Sequence, residues 1–142
     1  MMKKLLFLVL FTATAMLGQA QVSRMIGQWN TYDDKTGDLR STVNIYEENG
    51  TYQGVIITLY EKDANGKFQV MNASSAKDVG TKLFKEMKAD GDQLKGKIYD
   101  PESQKTYNAK VSYKAKTDEL SVRGSLDKAG LLGRSQTWKR NK

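Results

Sequence analysis

The stretch Gly96-Lys97-Ile98-Tyr99-Asp100-Pro101-Glu102-Ser103-Gln104-Lys105-Thr106-Tyr107 decides the fold. Its continuation runs through Leu120-Ser121-Val122-Arg123-Gly124 to Gly133-Arg134-Ser135-Gln136-Thr137-Trp138. Leu94, Gly96 and Ile98 alternate with Lys95, Lys97 and Tyr99. Asp100-Pro101-Glu102-Ser103 then turns the chain. Tyr107, Ala109, Val111 and Tyr113 line one face of the return, and Thr106, Asn108, Lys110, Ser112 and Lys114 line the other. A period of two this regular predicts strands with one wet face. Lys116-Thr117-Asp118 turns again, Leu120, Val122 and Gly124 point inward, Asp127 to Gly130 makes another turn, and a last strand runs from Leu131 to Arg140.

Upstream the same grammar holds. Residues 26–32 and 39–47 read as strands around the polar turn 33–38. The aspartates of that turn do not begin a calcium loop, because the twelfth position from Asp33 or Asp34 is Asn44 or Ile45 rather than glutamate. Asn49-Gly50 is the signal for a two-residue type I′ hairpin, since both residues tolerate positive φ. Residues 51–60 return with Val55, Ile57 and Leu59 on one face and Tyr52, Ile56 and Tyr60 on the other, which predicts cover on both sides. Asp63-Ala64-Asn65-Gly66 turns into a short strand at 67–71. Over 72–91, Val79, Leu83, Phe84 and Met87 have helical spacing that Gly80 opposes, so a short helix or an irregular crossover over one barrel end is expected.

About eight short strands joined by tight turns make an antiparallel meander. An open sheet of that width leaves costly edges in a small domain, and closure into an up-and-down β-barrel removes them. A sandwich is the alternative. Closure brings the first and last strands together and places Trp29 near Trp138. Period two then puts Arg134 and Gln136 on the same inward face as Trp138. Two readings of this group stand side by side. In one, an arginine stacks on an indole and plugs a filled barrel by cation–π contact. In the other, Arg134 and Gln136 are the polar floor of a ligand cavity. Tyr99, Tyr107 and Tyr113 carry the same pair of readings, as core packing or as pocket lining.

Composition narrows the chemistry. The chain has 142 residues, no cysteine and no histidine. Disulfides, thiolate metal sites and Ser–His–Asp or Cys–His catalysis are therefore excluded. No cofactor or metal site is read from the sequence. Asp100 and Glu102 are the best carboxylate pair for a hydrolase, but a pair flanking proline is more simply turn chemistry. Lys3 and Lys4 precede the uncharged run Leu5 to Leu17 and the small residues Gly18-Gln19-Ala20, the pattern of a secretory signal peptide. The run is too short for a membrane span. Residues 1–20 are thus expected to be removed, leaving one domain over 21–142, exported to the periplasm or secreted, with no transmembrane segment. Without Lys3 and Lys4 the 23 basic and 16 acidic residues become 21 and 16, a net of +5. Charge spread along the chain argues against nucleic acid and leaves weak attraction to anionic lipid or polysaccharide headgroups open.

Taken together, Gly27-Gln28-Trp29, Asn49-Gly50-Thr51-Tyr52-Gln53-Gly54, Gly96-Lys97-Ile98-Tyr99-Asp100-Pro101, Leu120-Ser121-Val122-Arg123-Gly124 and Gly133-Arg134-Ser135-Gln136-Thr137-Trp138 resemble the family known as domain of unknown function 2147. That resemblance implies small exported bacterial proteins with a lipocalin-like barrel. It also implies that Trp29 packs against an arginine near the end of the barrel, either Arg134 or Arg140. Gln104 departs from the family pattern, which has glycine at that point of the turn, and the cysteines of some members are absent. The function expected from all this is non-covalent binding of a small apolar or amphipathic molecule, with Trp29, Tyr99, Tyr107, Arg134, Gln136 and Trp138 lining the site. A filled barrel that contacts a protein or glycan of the cell envelope is the alternative.

Overall fold

The computed structural model describes residues 18–142. The greater part of the expected signal peptide therefore lies outside the described residues. Residues 18–23 form one short helix, α1. Nine strands follow: β1 Gly27–Tyr32, β2 Leu39–Glu48, β3 Thr51–Lys62, β4 Phe68–Val70, β5 Lys82–Asp90, β6 Gln93–Asp100, β7 Lys105–Lys114, β8 Glu119–Ser125 and β9 Gly133–Arg140. Eight of them form an antiparallel ring in the order β2-β1-β9-β8-β7-β6-β5-β3, which the β2–β3 hairpin closes. β4 pairs only with the far end of β3. This is a lipocalin-like barrel. First and last strands meet through Trp29 opposite Arg140 and Asn30 opposite Lys139.

Local chemistry makes the turns. Asn49 and Gly50 both have positive φ (54° and 80°), as a type I′ hairpin demands. The Asp33 carboxylate accepts the backbone N–H groups of Lys35 and Thr36 at 2.8 and 2.9 Å, and so shapes the β1–β2 loop. Gln104 also has positive φ (57°), so the turn requires a left-handed backbone at the position where the resemblance implied glycine.

Two expectations are corrected. The first concerns 72–91: of the two expected alternatives the irregular crossover is found, but only over 72–81, and the helical spacing of Leu83, Phe84 and Met87 belongs to a strand, β5. Along the β3–β5 ladder Gly54 faces Phe84 and Val55 faces Lys82, so Leu83 is an extra residue. Along β5–β6, Lys85 faces Lys97 and Lys88 faces Lys95, so Glu86 and Met87 together oppose Gly96. Each bulge adds one residue to β5. Leu83, Phe84 and Met87 are consequently all buried, at a spacing that imitates a helix face. Glycines across the ladders make this possible. A Cβ on Gly96 would lie 2.6 Å from Met87 Sδ, and one on Gly54 would lie 2.7 Å from the Phe84 ring.

The second correction concerns β3, where a bulge leaves Ile57 uncovered. Thr42 pairs with Thr58 and Val43 with Ile56, so Ile57 is the bulged residue. The extra residue reverses the alternation. Ile56 is buried with Leu59 packed against the core, while Ile57 is 37% exposed.

The core fills one half of the barrel. Val22 in α1 and Met25 just after it are buried with Trp29, Val43, Ile45, Met87, Leu94, Val111 and Leu120. Phe84 and Trp138 stack in parallel at 5.4 Å across the middle.

Candidate functional site

Strand directions send the β1–β2, β3–β5, β6–β7 and β8–β9 connections to one end of the barrel. The hairpin at 49–50 and α1 lie at the other. The two ends differ in kind.

At the α1 end the barrel is sealed. The Arg140 guanidinium lies 4.2 Å from the Trp29 ring centroid. It also donates to Asp118 Oδ2 at 2.8 Å and to the Arg24 carbonyl at 2.8 Å. Trp29 Nε1 donates to the Met25 carbonyl at 2.8 Å. Tyr113 completes the group, with its ring in T-shaped contact with Trp29 and its hydroxyl 2.8 Å from Asp118 Oδ1. Hydrogen bonds from Arg140 and then Tyr113 hold the Asp118 carboxyl below the usual carboxylate range. The carboxylate in turn holds the Arg140 guanidinium above its ordinary value. Of the two arginines proposed for this role, it is Arg140 that plugs the barrel.

At the other end a cavity of about 940 Å³ opens to solvent. Its walls are Ile56, Leu59, Leu83, Ile98 and Val122, and Trp138 lies at its base. Thr31 and Ser41 also line it, and their hydroxyls satisfy each other at 2.6 Å. The lip is polar. Arg40 joins two mouth loops by contacting Asp33 Oδ2 at 3.2 Å and Glu102 Oε2 at 3.0 Å. Gln136 Nε2 donates to Asp34 Oδ2 at 3.1 Å, and its Oε1 accepts from Trp138 Nε1 at 3.2 Å. The interior is thus filled in one half and open in the other.

The six residues singled out from the sequence divide accordingly. Trp138, Gln136 and Tyr107 line the cavity from inward positions. Tyr99 reaches its lip from an outward register, with Lys85 Nζ 5.9 Å from its ring centroid. Arg134 stands exposed at the rim, so the expected interior guanidinium and polar floor are corrected to a polar rim over an apolar floor. Trp29 does not line the cavity, because Arg140 and Met25 enclose it at the sealed end.

Sequence reasoning missed part of the wall. Ile98 and Val122 were legible from alternation. The convergence of Ile56 with Leu59, and the place of Leu83, were not, because bulges at Ile57 and Leu83 set them. Thr31 and Ser41 gave no signal beyond their place on the strands.

Asp100 accepts the Glu102 N–H at 3.1 Å and the Ser103 hydroxyl at 2.8 Å, so it shapes the turn, while Glu102 contacts Arg40. Among the described residues no cluster of acidic side chains is placed to hold a metal ion, and no helix is long and apolar enough to cross a membrane.

The comparisons with known proteins agree with this architecture. The chain is similar in structure to HP1028 of Helicobacter pylori, described as belonging to the lipocalin family, with a TM-score of 0.64 and 23% identity over 83% of each chain. At that identity the likeness concerns the fold. No curated protein matches the chain. The model of domain of unknown function 2147, described as an uncharacterized protein conserved in bacteria, matches residues 27–140. With a match of that extent, this chain belongs to the domain of unknown function 2147 family.

Proposed function

We propose that this protein is exported and binds one small amphipathic molecule, lipid-like in character, non-covalently in the open half of its barrel. The observation that carries the reading is the half-filled interior: a cavity of about 940 Å³ with an apolar floor and a polar lip. Ligand pockets commonly run from ~300 to ~1,000 Å³, with mostly apolar walls and a few fixed polar groups. An apolar tail would lie against Trp138, Val122, Ile56 and Ile98. A polar head would stay at the lip beside Arg134, Gln136 and Tyr99. Export rests on the basic, apolar and small-residue order of residues 1–20. Asp100 and Glu102 are engaged in turn and ion-pair contacts, which favours binding over hydrolysis.

Native mass spectrometry of the protein purified from its host tests the reading. A retained mass that organic extraction removes is expected, on a chain that begins at Gln21. A chain that carries no adduct, and that after extraction takes up no fluorescent fatty-acid probe, would overturn the binding role.

A further inference from the structure

The outer face of β5–β8 carries an arrangement that works against folding. Lys88 stands opposite Lys95, Lys95 opposite Lys110, and Lys110 opposite Arg123. Lys85 stands opposite Lys97 one step away. Like charges directly opposite on neighbouring strands are destabilising, and side chains so paired are ~5 Å apart. Among the described residues a single ion pair relieves this row, Lys95 with Asp90 at 2.8 Å.

The β8–β9 loop lies at one end of the row. Arg123 Nε donates to the Gly130 carbonyl at 2.6 Å, and Lys110 Nζ donates to the Ala129 carbonyl at 3.2 Å, so the row itself anchors the loop. The loop displays Leu126, Leu131 and Leu132 at 73, 80 and 66% exposure. Its only carboxylate, Asp127, is occupied by the N–H groups of Leu132 and Leu131 at 2.8 and 3.0 Å. Lys128 is left exposed beside the leucines.

We propose that this loop and the basic row form a docking surface for an anionic lipid bilayer. Leu126, Leu131 and Leu132 enter the acyl boundary while Lys88, Lys95, Lys110, Arg123 and Lys128 face the headgroups. Basic residues combined with exposed leucines suit an interface that is charged outside and apolar beneath. A polysaccharide or nucleic acid would use the charges and leave the leucines in water. Leu126 and Leu132 also border the cavity mouth, so docking would bring that opening to the membrane. The docking surface does not depend on what the cavity holds.

Vesicle flotation of the purified protein tests it, with phosphatidylcholine vesicles containing or lacking phosphatidylglycerol. Binding is expected only with the anionic lipid, and it should weaken as salt rises. Leu131→Ser should reduce partitioning about tenfold. Lys88→Gln with Lys128→Gln should reduce it on the order of tenfold or more, at about fivefold per charge. None of the three side chains holds the loop or enters the core, and thermal melts would verify that the variants stay folded. The salt response of the unaltered chain needs no variant at all. Equal binding to neutral vesicles, or none to anionic ones, would overturn the proposal. So would Leu131→Ser binding as well as the parent, which would point to a soluble polyanion. Probe uptake measured without vesicles reports on the cavity separately, so either reading can fail alone.

Discussion

The guanidinium of Arg140 lies 4.2 Å from the centroid of the Trp29 ring, across the ladder that joins the last strand to the first. That contact closes the cylinder and caps it at once. Trp29 ties the segment after α1 through the Met25 carbonyl, and Arg140 ties it through the Arg24 carbonyl. One stacked pair therefore holds the seam, the plug and, through Asp118, the β7–β8 turn.

Arg140→Ala should lower unfolding free energy by about 2 kcal/mol, from lost cation–π contact and charge-assisted hydrogen bonds. Trp29→Ala, which empties a fully buried indole site, should cost about 3–5 kcal/mol. Urea unfolding measures both. A loss under ~0.5 kcal/mol for Arg140→Ala would mean that the seam does not need its cap.

Acid should weaken the fold through depressed carboxylates. Asp118 is held down by Arg140 and Tyr113, Asp33 by the N–H groups of Thr36 and Lys35, and Asp127 by those of Leu132 and Leu131. Each folded value lies below its unfolded one. The stabilisation is therefore complete above the unfolded value of about 3.9 and is lost as pH falls through the folded values. With no histidine in the chain, stability should be nearly flat between about pH 5 and 8. Asp118→Asn should flatten the acid limb, and thermal melts from pH 2 to 8 would show whether it does.

Gln104 has a left-handed backbone that costs a residue with a Cβ about 1–2 kcal/mol. Gln104→Gly removes that strain but adds roughly 0.5–1 kcal/mol of unfolded-chain entropy. A net gain of about 0.5 kcal/mol is expected. Destabilisation in the same urea assay would mean that the glutamine side chain supports the turn.

The two indoles should report ligand differently, because Trp138 floors the cavity and Trp29 is sealed from it. A Trp138→Phe chain should lose most of the emission change caused by a bound fatty-acid probe. Trp29→Phe should keep it. Ile98→Trp, which fills the cavity from a half-buried wall, should reduce probe uptake at least tenfold while the fold survives. Equal responses from the two indoles would place the probe elsewhere.

Much of the barrel was written in local pattern. The alternation of β6 to β8, the Asn49-Gly50 hairpin and the tight turns are decided by neighbours a few residues apart, and those interactions are visible in any chain segment. The bulges at Ile57, Leu83 and Glu86 were not visible. Each exists because a partner strand offers room or register, such as Gly54 for the Phe84 ring and Gly96 for Met87. A bulge changes which residues face inward, so β5 looked helical and Ile57 seemed to share a covered face with Leu59.

The same limit applies to the candidate site. By itself the sequence determined an antiparallel meander of short strands and tight turns, because hydrophobic period and turn chemistry are properties of contiguous residues. That the meander closes as a barrel at Trp29 and not as a sandwich came from the β1–β9 pairing. Only the tertiary structure decided that Arg140 rather than Arg134 caps that tryptophan. It also decided that one half of the interior is solid and the other open. Both outcomes depend on how far along the barrel axis each inward residue stands. That height is set by strand register and bulges across the whole ring, which a single strand does not encode.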